Sequence, residues 1–117
     1  MSMYILFRSQ QYAEELARKA NAIVCSSENN LYGINPQDDD IIVVDAHYKG
    51  NMSDFSGIEI VYRLQKYECS GKIVKFKILS WFPPESDYLE SPKKRLYSQH
   101  NVDFVQLPVL NVKLITT

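Results

Sequence analysis

The chain alternates short apolar runs with amphipathic or polar stretches, and this alternation sets the order of its elements. Met3 to Phe7 is a continuous apolar run of strand length, and Ser9 behind it suits a helix N-cap. From Gln10 to Asn21 the apolar positions are Tyr12, Ala13, Leu16, Ala17 and Ala20, a spacing that gives a helix one apolar face. Ala22 to Cys25 is a second short strand. Ser26 to Gln37 carries Asn29, Asn30, Gly33 and Pro36, so at most a short helix is expected inside a loop. Asp38 to Asp40 is an acidic run that reads as solvated turn residues. In Ile41 to Val44 four β-branched residues follow one another, which predicts a central strand buried on both faces.

Asp45 to Asp54 is polar. Ser56 and Glu59 then have the spacing of a capping box, and Ile58, Val61, Leu64 and Tyr67 step along a helix. Gly71 ends that helix. From Ile73 to Trp81, Val74, Phe76 and Ile78 alternate with Lys75 and Lys77, which predicts a strand with one wetter face. Pro83 and Pro84 stop it. Ser91 and Pro92 suit a cap and first helical position, so a short helix is expected to about Gln99. Val102 to Leu107 is the last strand. The order β-α-β-(α)-β-α-β-α-β predicts one α/β domain over residues 1–117. Its expected architecture is a five-stranded parallel sheet with helices on both faces, flavodoxin-like, in the order 2-1-3-4-5. Only Pro108 to Thr117 remain for a last helix, which is therefore short or missing. Val109, Leu110, Val112, Leu114 and Ile115 make that tail an extra strand, a truncated helix or a partner contact.

Composition agrees with a single core: 117 residues, 45% of them hydrophobic. Thirteen Lys and Arg stand against 14 Asp and Glu, for a net charge of −1, which argues against a dedicated nucleic-acid surface. Cys25 and Cys69 are far apart, lack metal-ligand spacing and lie in or beside apolar stretches, so buried free thiols are expected. No apolar run follows the start as a signal peptide would require, and none approaches the roughly 18 residues of a membrane helix. A cytoplasmic protein without membrane contact is the expectation.

In open parallel sheets ligands gather at the carboxyl ends of the strands. Arg8 and Ser9 follow the first strand, Asp45, Ala46 and His47 the third, Ser80 and Trp81 the fourth, and Leu107 and Pro108 the fifth. Asp45 can serve chemistry or merely accept from loop amides. Asp45 with His47 suggests a metal or acid–base pair, and equally a surface pair, since no third ligand is apparent. Ser80 reads as a strand-end hydroxyl, because no sequence signal places a His beside it. Trp81-Phe82-Pro83-Pro84 is either packing or an exposed patch for a partner. Lys93-Lys94-Arg95 reads as a solvated helix face.

Several of these segments resemble the response-regulator receiver family. Ile41-Ile42-Val43-Val44-Asp45 is similar to the receiver's third strand, which ends in the phospho-accepting Asp. Gly57-Ile58-Glu59-Ile60 resembles the start of its third helix, and Ile78-Leu79-Ser80 its fourth strand with a switch Ser or Thr. Asp103 to Pro108 resembles its fifth strand, with Phe104 at an aromatic switch position and a Lys-Pro pair expected at the end. The resemblance implies a two-component signalling fold with Asp45 as candidate phospho-acceptor and Ser80 and Phe104 as switch positions.

The departures point to a depleted site. Arg8 and Ser9 stand where the family holds Mg²⁺ with an acidic pair, and Leu107 stands where it has a lysine. Twelve positions separate Asp45 from Gly57 (57 − 45), a longer loop than the family's. Arg8 could instead pair with Asp45. The expectation is thus an atypical receiver, not an enzyme, with no cofactor and with Mg²⁺ only if Asp45 is phosphorylated. It would act on a protein partner or as a homodimer through Lys93 to Tyr97, Phe104 and the tail 109–117. Alternatives are a receiver still phosphorylated on Asp45, and a small metal-dependent enzyme using Asp45 and His47.

Overall fold

Five parallel strands form one sheet in the order β2-β1-β3-β4-β5: β1 Met3–Leu6, β2 Ile23–Val24, β3 Ile41–Asp45, β4 Lys75–Ser80 and β5 Val102–Gln106. The computed structural model describes residues 1–97 and 101–117. Helices α1 (Gln10–Ala20), α2 (Glu28–Tyr32), α3 (Ser56–Arg63), α4 (Glu90–Lys93) and α5 (Lys113–Thr116) connect or follow the strands. The topology is the flavodoxin-like α/β arrangement, with a short last helix.

The strands point their side chains alternately to two faces, and each face has its own core. Met3, Ile5, Ile41, Val43, Leu79, Val105 and Leu107 pack with Ala13, Leu16 and Ala17 of α1 and Ile115 of α5. Leu6, Ile42, Val44, Phe76 and Ile78 pack on the other face with Leu31, Ile58, Ile60, Val61, Leu64 and Leu96. β3 is buried along its whole length, as its β-branched run requires. Cys25 and Cys69 are buried free thiols, pushed up to about 11 by desolvation. Among the described residues no helix is long and apolar enough to cross a membrane.

Local chemistry differs from the pattern in four places. The expected Ser9 cap of α1 is not one of them: its side chain accepts from the Tyr12 amide at 3.2 Å. Ser56 and Glu59, however, form no capping box. Ser56 is the first residue of α3 and accepts from Lys49 N, while Asp54 Oδ1 accepts from Ser56 N at 2.6 Å and Glu59 forms a bidentate pair with Arg95. The helix after β4 does not start at Ser91: Ser86 caps a 3-10 turn at Asp87–Leu89, and α4 follows from Glu90 with Pro92 inside its first turn. The expected reach to Gln99 lies outside the described residues.

Lys77 is not on a wet face. Its side chain is 4% exposed, and Nζ lies 2.5 Å from Asp103 Oδ2 on the paired residue of β5. The apolar stem lies in the sheet while the ammonium reaches an exposed carboxylate. Asp40 is buried too: Oδ1 accepts from Ser2 N and Oδ2 from Gln37 N, both at 2.8 Å. The acidic run therefore tethers the N-terminus beside β3, although Asp39 remains exposed.

Candidate functional site

The parallel strands bring Arg8, Ser9, Asp45 and His47 to one end of the sheet, around an open cavity of about 450 Å³. Phe7, Gly50, Asn51, Met52 and Trp81 complete its wall. Asp45 ends β3 at 4% exposure. Its Oδ1 accepts from the His47 amide at 2.8 Å and its Oδ2 from the Arg8 amide at 3.1 Å. Desolvation by burial raises its carboxyl above the ordinary range, against the lowering effect of the two amide donors. The Arg8 side chain does not close on Asp45: its Nη1 donates to the Gly50 carbonyl, and only its backbone holds the carboxylate.

Gly57 sets how α3 meets this site. A Cβ there would lie 1.9 Å from the Asp45 carbonyl oxygen, so only glycine lets the helix start pass this close to the end of β3. The Gly57 amide donates to the Ala46 carbonyl at 3.0 Å and joins the two elements.

His47 is buried, not part of a surface pair. Its Nδ1 lies 2.9 Å from the Asp54 carbonyl and its Nε2 2.9 Å from Ser80 Oγ. A carbonyl can only accept, so Nδ1 donates to Asp54, and in the singly protonated ring Nε2 accepts from the Ser80 hydroxyl. Ser80 Oγ in turn accepts from the Phe82 amide at 3.1 Å. The Ser–His contact that no sequence signal announced thus exists. Ser80 is 1% exposed, so the pair is a buried strut joining the long loop, β4 and the Trp81–Pro84 turn. Phe55, Phe82 and Tyr88 pack around it: Phe82 stacks on Tyr88 at 4.9 Å, and Phe55 lies 5.4 Å from His47. Trp81, by contrast, remains half exposed over the cavity.

This donor set does not fit Mg²⁺. The ion takes several oxygen ligands with near-octahedral geometry. Here a single carboxylate, with both oxygens already accepting amides, faces Arg8 and Ser9 instead of further acids. Both ring nitrogens of His47 are engaged as well, so neither is free for a metal. Among the described residues no group of three or more His, Cys, Asp or Glu converges as a metal site.

The remaining expected positions lie elsewhere. Leu107 is buried in the α1-side core, and Phe104 and Leu107 line a second groove along β5 with Pro84, Leu110 and Leu114. Lys93 Nζ lies 4.8 Å from the Phe104 ring centroid. Arg95 and Tyr97 turn the other way, onto α3: Arg95 pairs with Glu59, and Tyr97 stacks on Tyr62 at 5.2 Å. Lys93 to Tyr97 is therefore split between two surfaces. The tail packs on its own chain, with Ile115 fully buried and the Val109 amide donating to Tyr12 Oη at 2.9 Å. Phe7, Gly50, Asn51 and Met52 carried no signal in the sequence; a loop wall has no periodicity to give it away. Comparison of the chain with protein-family models, with curated proteins and with solved structures gives no match.

Proposed function

We propose that this is a receiver-like regulatory domain that acts through protein–protein contacts and does not use Mg²⁺-dependent phosphorylation of its strand-end aspartate. One observation carries the reading: both carboxylate oxygens of the buried Asp45 are held by backbone amides, with Arg8 and Ser9 beside it in place of acids. Phosphoryl transfer to a carboxylate gathers negative oxygens that need a metal and a cation to offset them. Support for the missing cation is that Leu107 buries an apolar side chain at the lysine position. Ser80 is tied to His47 and Phe104 sits under Lys93, so neither switch position has the Asp45 carboxylate as a partner. The groove along β5, with Leu110 at 89% exposure, supports a protein partner or a second copy as the contact. Two buried free thiols accord with a reducing cytoplasm.

Incubation with a small acyl-phosphate donor and Mg²⁺, followed by intact-mass measurement, tests this. The expected result is no mass gain. A phosphoryl gain that disappears in Asp45→Asn would overturn the proposal in favour of a receiver still phosphorylated there. Metal binding lost in His47→Ala would instead favour the metal-dependent enzyme.

A further inference from the structure

The cavity over Asp45 has a neighbour. A smaller hollow of about 250 Å³ is lined by Phe7, Ser9, Tyr12 and Trp81, and it shares Phe7, Ser9 and Trp81 with the larger one. The two hollows adjoin at those three side chains. The smaller hollow has an aromatic wall: the Phe7 and Tyr12 rings pack on each other with centroids 4.9 Å apart and a 50° tilt, and Trp81 faces the same hollow. The larger hollow holds the polar groups. Arg8 is exposed and belongs to no ion pair among the described residues; it spends one guanidinium nitrogen on Gly50. Asn51 spends its Oδ1 on Ser53, which leaves its amide N–H donors available.

We infer that these adjoining hollows bind a small molecule with a flat aromatic ring and one carboxylate, the ring against the Phe7–Tyr12–Trp81 wall and the carboxylate on Arg8. The inference rests on the reading above that Asp45 takes no phosphoryl group, since that group would occupy the same space. The polar wall selects the charge. Arg8 is the one cation of the lining, and its planar fork matches a carboxylate's two oxygens. A doubly charged phosphate would meet only a single cation in the lining. A cationic head would find both Asp45 oxygens already engaged by backbone amides. The aromatic wall selects the ring, because aromatic faces offer stacking that an aliphatic chain cannot use. Pockets of this size, mostly apolar with a few converging polar groups, suit small-molecule ligands.

The test is a titration of the full chain with phenylacetate, phenylacetamide and acetate at neutral pH and low salt. Calorimetry gives affinity, and the fluorescence of Trp81, the only tryptophan, reports occupancy of the smaller hollow. Phenylacetate is expected to bind at roughly millimolar strength, in keeping with its few heavy atoms, and to change Trp81 emission. Phenylacetamide and acetate should each bind at least about tenfold more weakly, and Arg8→Gln should weaken phenylacetate about tenfold, the scale of one charge-assisted hydrogen bond. Arg8→Lys should recover part of that loss. Both substitutions are at an exposed position, so folding is not at stake. No phenylacetate binding, equal binding of the amide, equal binding of acetate, or indifference to Arg8→Gln would each overturn the inference. Phosphoryl uptake on Asp45 in the mass measurement would overturn the proposed function instead. The titration uses unphosphorylated protein and is read separately.

Discussion

At the scale of single residues, the charge state of Asp45 governs both the site and part of the stability. Burial raises its carboxyl in the fold above the ordinary value of 3.8. Between those two values the folded chain binds more protons than the unfolded one, so this group's contribution to stability falls as pH rises through that window. Glu28 and Glu59 act in the opposite sense, because hydrogen bonds from Lys49 and Arg95 lower their carboxyls and favour folding as pH rises. Asp45→Asn isolates the first effect. The variant carries a fixed penalty of about 1–3 kcal/mol, since its amide cannot accept from both Arg8 and His47 backbone groups. The difference in urea stability, variant minus wild type, should nevertheless shift toward the variant as pH rises above about 4. A difference independent of pH would mean that Asp45 is not desolvated.

At the scale of elements, the tightest constraint is the crossing of α3 over the end of β3. Gly57→Ala would press a methyl group onto the Asp45 carbonyl, and backbone on both sides leaves no flexible side chain to give way. A loss of about 3 kcal/mol in urea denaturation is expected. A loss under about 0.5 kcal/mol would show that the helix start does not pass this close. The sequence pattern placed this helix well, because Ile58, Val61 and Leu64 repeat at helical spacing and all three are buried. Its start was less legible. Ser56 and Glu59 satisfy the capping-box spacing, but the Ser56 amide is taken by the neighbouring Asp54 carboxylate and Glu59 by the Arg95 guanidinium, a partner that tertiary structure supplies. In β4, likewise, alternation located the strand, but only the pairing with Asp103 made Lys77 an inward residue.

At the scale of the whole molecule, two cores share one sheet, and the short α5 finishes the thinner cover on the α1 side. Ile115 is its fully buried residue, and Val109 and Val112 pack beside it. Deleting residues 109–117 should therefore lower stability by about 2–5 kcal/mol, the range for losing a large buried aliphatic side chain, as measured by urea denaturation. Size-exclusion measurement on the same variant tests the interface. A tail that only packs internally leaves the oligomeric state unchanged, while a tail that also carries contacts through Leu110 and Leu114 alters it.

The alternation of apolar runs and amphipathic stretches was sufficient for the α/β class and the five parallel strands; their order needed the crossover rule as well, and only the fold decided that the tail forms a short helix. Strand burial and helix faces follow from side-chain periods of two and 3.6, which are local properties of the chain. Sequence position also placed Arg8, Ser9, Asp45 and His47 at one end of the sheet, since parallel strands all finish there. What those groups do to one another was decided only in three dimensions. Arg8 turns to Gly50 rather than Asp45, and His47 reaches Ser80, 33 positions away, instead of facing water. Hydrogen bonds between distant loops depend on where the backbone turns, and neither composition nor periodicity encodes that. The Asp45 site is thus legible in sequence as a place, and its closed hydrogen bonding and open aromatic pocket only in the fold.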